Sequence, residues 1–324
     1  MIRLGVVGTS GICEKFIAAA KQSHRFALTS VFSRQQQRGN AFAIQHGFTA
    51  AYTDMGAMAK TIDAVYIASP NACHASQSRF FLERGVHVLC EKPIAVSLDE
   101  YQQTKAVADQ KGCLYQEAII PRFTRERDLL LQALDTIGPL QSVDIRYHQR
   151  SSRLDAFIAG QTPNIFNMAL HAGALMDLGV YCVYGAIDLL GKPKQIRACA
   201  YFLRGCDMRG TAIFDYGSFA ARLSWRKDEE SDSISRFIGQ NGILSVKMIS
   251  LYDGILLERD GKTINLTSPD DRIARMALEA TAFADLIEKN RNDYQRLSDL
   301  TSTVHGCMDE IKKQAQIQYQ EERI

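Results

Sequence analysis

The chain has 324 residues, enough for two domains or one large one, and 46% of them are apolar, ample for a packed core. Its formal net charge is only +2 and no block of Lys or Arg runs along it, which excludes the electrostatic footprint of a nucleic-acid or anionic-membrane binder. The opening apolar run, Ile2-Arg3-Leu4-Gly5-Val6-Val7, is too short for a signal segment or a membrane span and is followed at once by turn residues, so a cytoplasmic protein is expected.

In chain order, residues 4–7 read as a strand, 12–23 as a helix, 26–32 as a strand and 35–46 as a helix. A short helix at 55–61 precedes a strand at 64–68. A helix at 75–84, a strand at 86–90, a helix at 98–111 and a strand at 114–117 follow. Strands alternating with helices of this length imply parallel βαβ units. The strands are continuous apolar runs, as a sheet covered on both faces requires. The expected fold here is an α/β Rossmann domain with a doubly wound parallel sheet.

The pattern then changes. Residues 125–134 look helical, 141–149 extended, and 173–190 form a long, mostly apolar helix. Strands are expected at 195–203, 210–215, 219–226, 233–239, 243–246, 255–258 and 263–266. Asn241-Gly242, Asp253-Gly254 and Asp260-Gly261 supply hairpin turns. Helices at 273–289 and 295–316 close the chain. This is an α+β domain on an open, largely antiparallel mixed sheet. The expected domains are residues 1–118 and 119–324. In strand 219–226, Phe219, Ala221, Leu223 and Trp225 share one face. In 195–203, Ile196, Ala198, Ala200 and Phe202 share a face, yet Tyr201 and Leu203 lie opposite. A sheet with apolar content on both faces needs two covers, so a homodimer through this sheet is expected.

The eight cysteines, Cys13 to Cys307, form no Cys-x-x-Cys pair and no Cys/His zinc spacing. Reduced, packed thiols and no metal are expected.

The first strand leads into Gly8-Thr9-Ser10-Gly11-Ile12-Cys13. The dinucleotide fingerprint Gly-x-Gly-x-x-Gly/Ala uses its glycines for the turn, for close approach of the pyrophosphate and for helix–strand packing. Gly8 is kept, Ser10 and Cys13 replace the other two, and Gly11 stands one place late. The helix start still offers free N–H groups and a positive dipole end to a phosphate. NAD sites place an acid at the end of the second strand. Here that strand ends Val31-Phe32-Ser33-Arg34, and the next acid is Asp54. Ser33, Arg34 and Arg38 can instead meet a 2′-phosphate, so NADP is expected, with NAD possible.

Three further segments carry a resemblance: Ser69-Pro70-Asn71-Ala72-Cys73-His74, Cys90-Glu91-Lys92-Pro93, and the stretch from Gly173 through Asp177 and Gly179 to Tyr181. With the first loop, they resemble the oxidoreductase family named for glucose–fructose oxidoreductase and inositol dehydrogenase (Gfo/Idh/MocA). Tyr181 in place of the more usual His, with Glu117-Ala118 and Arg122-Phe123, looks closest to its dihydrodiol dehydrogenase branch. The resemblance implies hydride transfer between a nicotinamide and a carbonyl or secondary alcohol of a sugar, polyol or related small compound. It implies Lys92 as the central catalytic residue with Asp177 and Tyr181 as partners. It implies Asn71 and His74 as cofactor-side residues.

The residues support that chemistry. Loops after the strands of a doubly wound sheet share its ligand-binding edge, so Ser69, Pro70, Asn71, His74, Glu91 and Lys92 join the phosphate loop. Asp177 and Tyr181 are four apart on one helix face. Gly179 between them costs about 1 kcal/mol relative to Ala in a helix, which close approach of another group would justify. Hydride reduction of a carbonyl develops negative charge on oxygen, which a Lys92 cation stabilises. Tyr181 can deliver the proton, although Lys92 is an alternative donor. Asp177 can orient Lys92 or bond the substrate. His171 and Arg122 are substrate-side candidates, and Arg150 and Arg153 are weaker ones. Two rivals are a nucleotide-sensing regulator, which needs neither Lys92 nor Tyr181, and an NAD-dependent glycosidase, which keeps its cofactor bound. No Gly-x-Ser-x-Gly elbow or P-loop lysine occurs, against hydrolase or kinase chemistry.

Overall fold

The structure, a computed structural model, describes residues 1–267, 271–288 and 292–319. The chain forms two compact units. One comprises Met1–Phe123 and Asp270–Ser302, the other Thr124–Pro269 and Thr303–Ile324.

In the first unit, β1 (Ile2–Val7), α1 (Gly11–Gln22), β2 (Phe26–Phe32), α2 (Gln36–His46), β3 (Ala50–Tyr52), α3 (Met55–Ala59), β4 (Ala64–Ile67), α4 (Asn71–Leu82), β5 (His87–Glu91), α5 (Leu98–Lys111) and β6 (Tyr115–Ala118) alternate along the chain. The six strands are all parallel in the order β3-β2-β1-β4-β5-β6. The order reverses between β1 and β4, which is where doubly wound sheets bind ligands. Val7, Ile67, Val88 and Cys90 lie in one core with Phe81, Ile94 and Tyr115. All four residues of β4 are buried, as the continuous apolar run requires. The short β3, Ala-Ala-Tyr, has no pattern of its own and was not expected from sequence.

In the second unit, α6 (Arg125–Thr136), β7 (Leu140–His148) and α7 (Leu154–Ile158) lead to 3-10 turns at Asn164–Phe166 and Met168–Leu170, a π-helical turn at Leu175–Gly179, and α8 (Val180–Leu190). Seven strands follow: β8 (Gln195–Leu203), β9 (Cys206–Asp215), β10 (Ala220–Arg226), β11 (Ser235–Gly239), β12 (Gly242–Met248), β13 (Asp253–Arg259) and β14 (Lys262–Asn265). With β7 they form one sheet, ordered β14-β13-β12-β11-β7-β10-β9-β8. Only the β7–β10 pair is parallel. Ala221, Leu223 and Trp225 are buried, while Arg222 on the opposite face is exposed, as the alternation predicts. The segment Met168–Leu190 is apolar and long enough to cross a membrane, but 78% of its apolar window is buried, which marks a core helix.

Three expectations need correction. The segment 271–302, read as part of the second domain, belongs to the first unit. There α9 (Arg272–Glu288) packs on α1, with Met276, Ala280 and Phe283 among its buried residues, and α10 (Asn292–Gln314) begins. An amphipathic helix goes wherever an apolar face remains uncovered, and sequence order does not say where that is. The first unit also extends to Phe123 and not 118. Second, the helix expected from Gly173 starts later. Gly173 stands at φ +117, where no helix runs, and the first turn is π-helical. Third, the Asn241-Gly242 turn is shifted by one residue, because Gly239 pairs with Gly242 around Gln240-Asn241. Gly254 lies within β13 and not in a two-residue turn. Asp260-Gly261 does form one, with both φ values positive (52° and 70°) between the paired Arg259 and Lys262. Lys289, the expected end of the first closing helix, lies outside the described residues.

Candidate active site

The cofactor-side residues of the first unit gather at the carboxyl ends of β1, β2, β4 and β5. Gly8 follows β1 at φ +118, and a Cβ there would lie 3.0 Å from the Ala68 carbonyl oxygen and 3.1 Å from Cys13 Sγ. Only glycine fits, both for conformation and for space. The turn passes through Thr9 and Ser10 into α1. Ser10 is the N-cap without a side-chain cap bond, its Oγ lying 3.4 Å from Cys13 Sγ. Gly11 and Ile12 open the helix, and a Cβ on Gly11 would meet nothing within 4 Å. The first-turn N–H groups have no intrahelical acceptor and remain available to an anion at this helix start.

At the end of β2, Ser33 is buried, and its Oγ accepts from Gln35 N–H at 3.3 Å. Arg34 and Arg38 are exposed. Arg38 donates to the Thr9 carbonyl at 3.1 Å, tying this cation to the phosphate loop. Arg34 is close enough to Cys73 in α4 for its charge to act on that thiol. No acid stands at this strand end. The donor set, two guanidiniums and a hydroxyl beside a helix start, fits a phosphorylated ribose.

His74 is fully buried. One ring nitrogen lies 2.8 Å from the Pro93 carbonyl oxygen and the other 2.8 Å from that of Ser69. Burial pushes its pKa below the ordinary imidazole value, against the opposite pull of the two carbonyls. His74 thus ties the 69–74 loop to the segment after Lys92, a structural role rather than an exposed cofactor contact. Pro70 is the N-cap of α4 and Asn71 its first residue. Glu91 accepts from Tyr66 Oη at 2.5 Å and from Lys92 N–H at 3.2 Å. Tyr66 is buried, stacked 3.7 Å from Phe16, and held neutral by desolvation and the nearby Glu91 charge. Lys92 itself is half-buried at the end of β5. Glu279 of α9, not anticipated from sequence, is fully buried, and its carboxyl lies well above the usual range through burial and the Glu91 charge. Its position on the face of Met276, Ala280 and Phe283 was a readable signal. Arg122 lies in the 3-10 turn Ile120–Phe123, in the first unit and not in the second as expected.

In the second unit, Asp177 sits in the π-helical turn and Tyr181 in the first turn of α8. Val180 N–H donates to the Leu175 carbonyl five residues back, and Asp177 N–H to that of Gly173. π-turns of this kind recur at functional sites. Tyr181 is 7% exposed, and its ring centroid lies 5.7 Å from that of Tyr147. The groups that Gly179 admits are Trp225 and Leu175: a Cβ on Gly179 would lie 2.9 Å from Trp225 Cδ2 and 2.9 Å from Leu175 Cδ1. His171 stands at φ +52, stacked on Tyr319 at 4.9 Å. Arg150 is exposed and paired with Asp155, and Arg153 is the exposed residue before α7, so neither is gathered with Asp177.

Two residues missed in the sequence surround Asp177. Lys227 Nζ lies 3.1 Å from Asp177 Oδ2. Asp207, fully buried, accepts from Leu175 N–H at 2.7 Å through Oδ2 and fills the space that a Cβ on Gly173 would need. Its pKa is pushed up to about 7, chiefly by burial, against the Leu175 N–H and the Lys227 cation. The readable signal was periodicity: inward-facing Ala221, Leu223 and Trp225 continue at Lys227. Among the described residues no three His, Cys, Asp or Glu side chains cluster as a metal site, and none of the eight cysteines is in a disulfide.

A family model described as "Oxidoreductase family, NAD-binding Rossmann fold" (GFO_IDH_MocA) matches residues 2–119. The chain is 36% identical to scyllo-inositol 2-dehydrogenase (NADP(+)) IolU of Bacillus subtilis over 324 residues, 98% of each chain. It is 28% identical to trans-1,2-dihydrobenzene-1,2-diol dehydrogenase of Sus scrofa over 237 residues, 69% of this chain and 68% of the other. In fold it is similar to KijD10, a 3-ketoreductase from Actinomadura kijaniata whose crystal structure holds NADP and TDP-benzene. The TM-score is 0.86 at 21% identity, covering 96% of this chain and 97% of that one.

Proposed function

The chain belongs to the Gfo/Idh/MocA oxidoreductase family, and from that premise we propose that it is an NADP-dependent dehydrogenase or reductase of a small polyhydroxylated substrate, a sugar, polyol or dihydrodiol. The observation that carries the cofactor preference is the end of β2, where Ser33, Arg34 and Arg38 stand and no acid does. That the inositol dehydrogenase is an NADP(+) enzyme and the 3-ketoreductase crystal holds NADP supports the same reading.

NADPH, when bound, supplies hydride to the carbonyl carbon. Gly8 to Ile12 would hold its pyrophosphate, and Ser33, Arg34 and Arg38 its 2′-phosphate. As the C=O bond becomes a single bond, its electron pair moves to oxygen. The Lys92 ammonium stabilises that charge, and Tyr181 Oη donates the proton that completes the alcohol. Asp177 accepts a hydrogen bond from a neighbouring substrate hydroxyl. In the oxidative direction Tyr181 receives the proton. An NADP(H)-coupled screen over sugars, polyols, dihydrodiols and small dicarbonyls tests the reading. Turnover of at least one class supports it. Tightly held NAD with no net NADP(H) consumption contradicts it.

We also propose a homodimer through the open face of the eight-stranded sheet. Tyr201, Ile213 and Leu256 remain 49%, 38% and 37% exposed there. These apolar groups lie on one face of the sheet, toward its two ends, and apolar side chains left exposed on a sheet face suit an association surface. Sedimentation velocity showing only monomer at micromolar concentration contradicts this.

A further inference from the structure

Lys227 follows the last residue of β10, with its backbone N–H donating to Met208 and its carbonyl accepting from Ser151. Its side chain is only 2% exposed. The ammonium meets three oxygen partners or neighbours: Asp177 Oδ2 at 3.1 Å, the Ile165 carbonyl at 3.1 Å, and the charge of Asp207. It also stands 5.0 Å from the centre of the Phe166 ring. The arrangement depends on two local features. The inward alternation of β10 carries on one residue past the strand. On β9, Tyr201 pairs with Arg209 and Phe202 with Asp207, so Met208 is an extra residue. That bulge turns Asp207 inward, as bulges beside functional sites do.

A buried ammonium is costly to desolvate, and buried ion pairs add little stability over apolar residues of the same volume. Its use here is better sought in what it holds. Asp177 keeps 32% of its side chain exposed while Lys227 is enclosed, so the cation grips the carboxylate from the protein side. Asp207 at the same time anchors the Leu175 N–H that begins the π-turn bearing Asp177.

We propose that Lys227 is a positioning residue of the reaction: by pairing with Asp177 it holds that carboxylate in one orientation for a substrate hydroxyl. This rests on the reading above in which Asp177 meets substrate.

The test is a double-mutant cycle of Lys227→Met and Asp177→Asn, assayed with the substrate that the wild type turns over fastest in the NADP(H)-coupled screen. Each single variant is expected to lose roughly thirtyfold or more in kcat, with NADPH affinity within about twofold of wild type. The double variant, which removes both ends of the pair, is expected to fall no further than Asp177→Asn. Because its charges leave together, that comparison stands even if Lys227→Met folds poorly. Losses that multiply in the double variant, or a Lys227→Met enzyme as active as wild type beside an impaired Asp177→Asn, overturn the inference alone. A fully active Asp177→Asn enzyme overturns the reading beneath it.

Discussion

Trp225 packs against the bare backbone of Gly179, its Cδ2 2.9 Å from where a Cβ would stand, and against its cross-strand partner Gly210, where a Cβ would lie 2.5 Å from Cζ2. The indole therefore abuts two glycines, one of them between Asp177 and Tyr181. Gly179→Ala gains about 1 kcal/mol of helix propensity but must push the indole or the helix away. Overpacking of this kind costs about 1–3 kcal/mol. The variant should unfold at lower urea with unchanged slope, and lose kcat because Asp177 and Tyr181 move together. A variant as stable as wild type would mean that Trp225 has room to shift.

Asp207 gives the protein a pH dependence of defined sign. Its pKa rises from 3.8 to about 7 on folding. Between those values the native state holds a proton that the unfolded chain has released, so stability falls as pH rises through that window. Asp207→Asn removes this contribution. The Tm of the variant relative to wild type should therefore rise from pH 5 to pH 8, measured by calorimetry. Parallel Tm curves would show that Asp207 ionises as freely as in the unfolded chain.

The two glycines of the phosphate loop should behave oppositely. Gly8→Ala forces a Cβ against the Ala68 carbonyl at a positive φ, and should weaken NADPH binding at least about tenfold. Gly11→Ala meets open space at a helix start, and should leave the unfolding midpoint unchanged or slightly higher. Fluorescence titration and thermal melts of the pair check this.

Cofactor choice should follow the end of β2. Arg34→Ala removes an exposed cation facing the expected 2′-phosphate and should lower the NADPH-to-NADH preference about tenfold or more, the loss shrinking at high salt. An unchanged preference would detach Arg34 from the cofactor.

Much of this was legible in the chain. The βαβ alternation marked the parallel sheet, and Gly179 announced a close neighbour. The rest was hidden for physical reasons. Lys227 lies in the charged run Arg226-Lys227-Asp228-Glu229-Glu230, where a solvated loop is the natural reading, and only its spacing from Trp225 points inward. Asp207 is aimed by a bulge, which no alternation predicts. The π-turn and the left-handed Gly173 look, in sequence, like a continuous helix. Helix α9 belongs to the first unit because it packs on α1, a tertiary fact without a local signal.

The central claim is that Lys92, at the end of β5, stabilises charge on the reacting oxygen without being needed to hold the cofactor. Its most direct test is Lys92→Ala, with NADP(H)-coupled turnover and NADPH affinity measured on the same preparation. Turnover should fall by about a thousandfold or more while NADPH affinity stays within a few-fold of wild type. A Lys92→Ala enzyme that still turns over at the wild-type rate would contradict it.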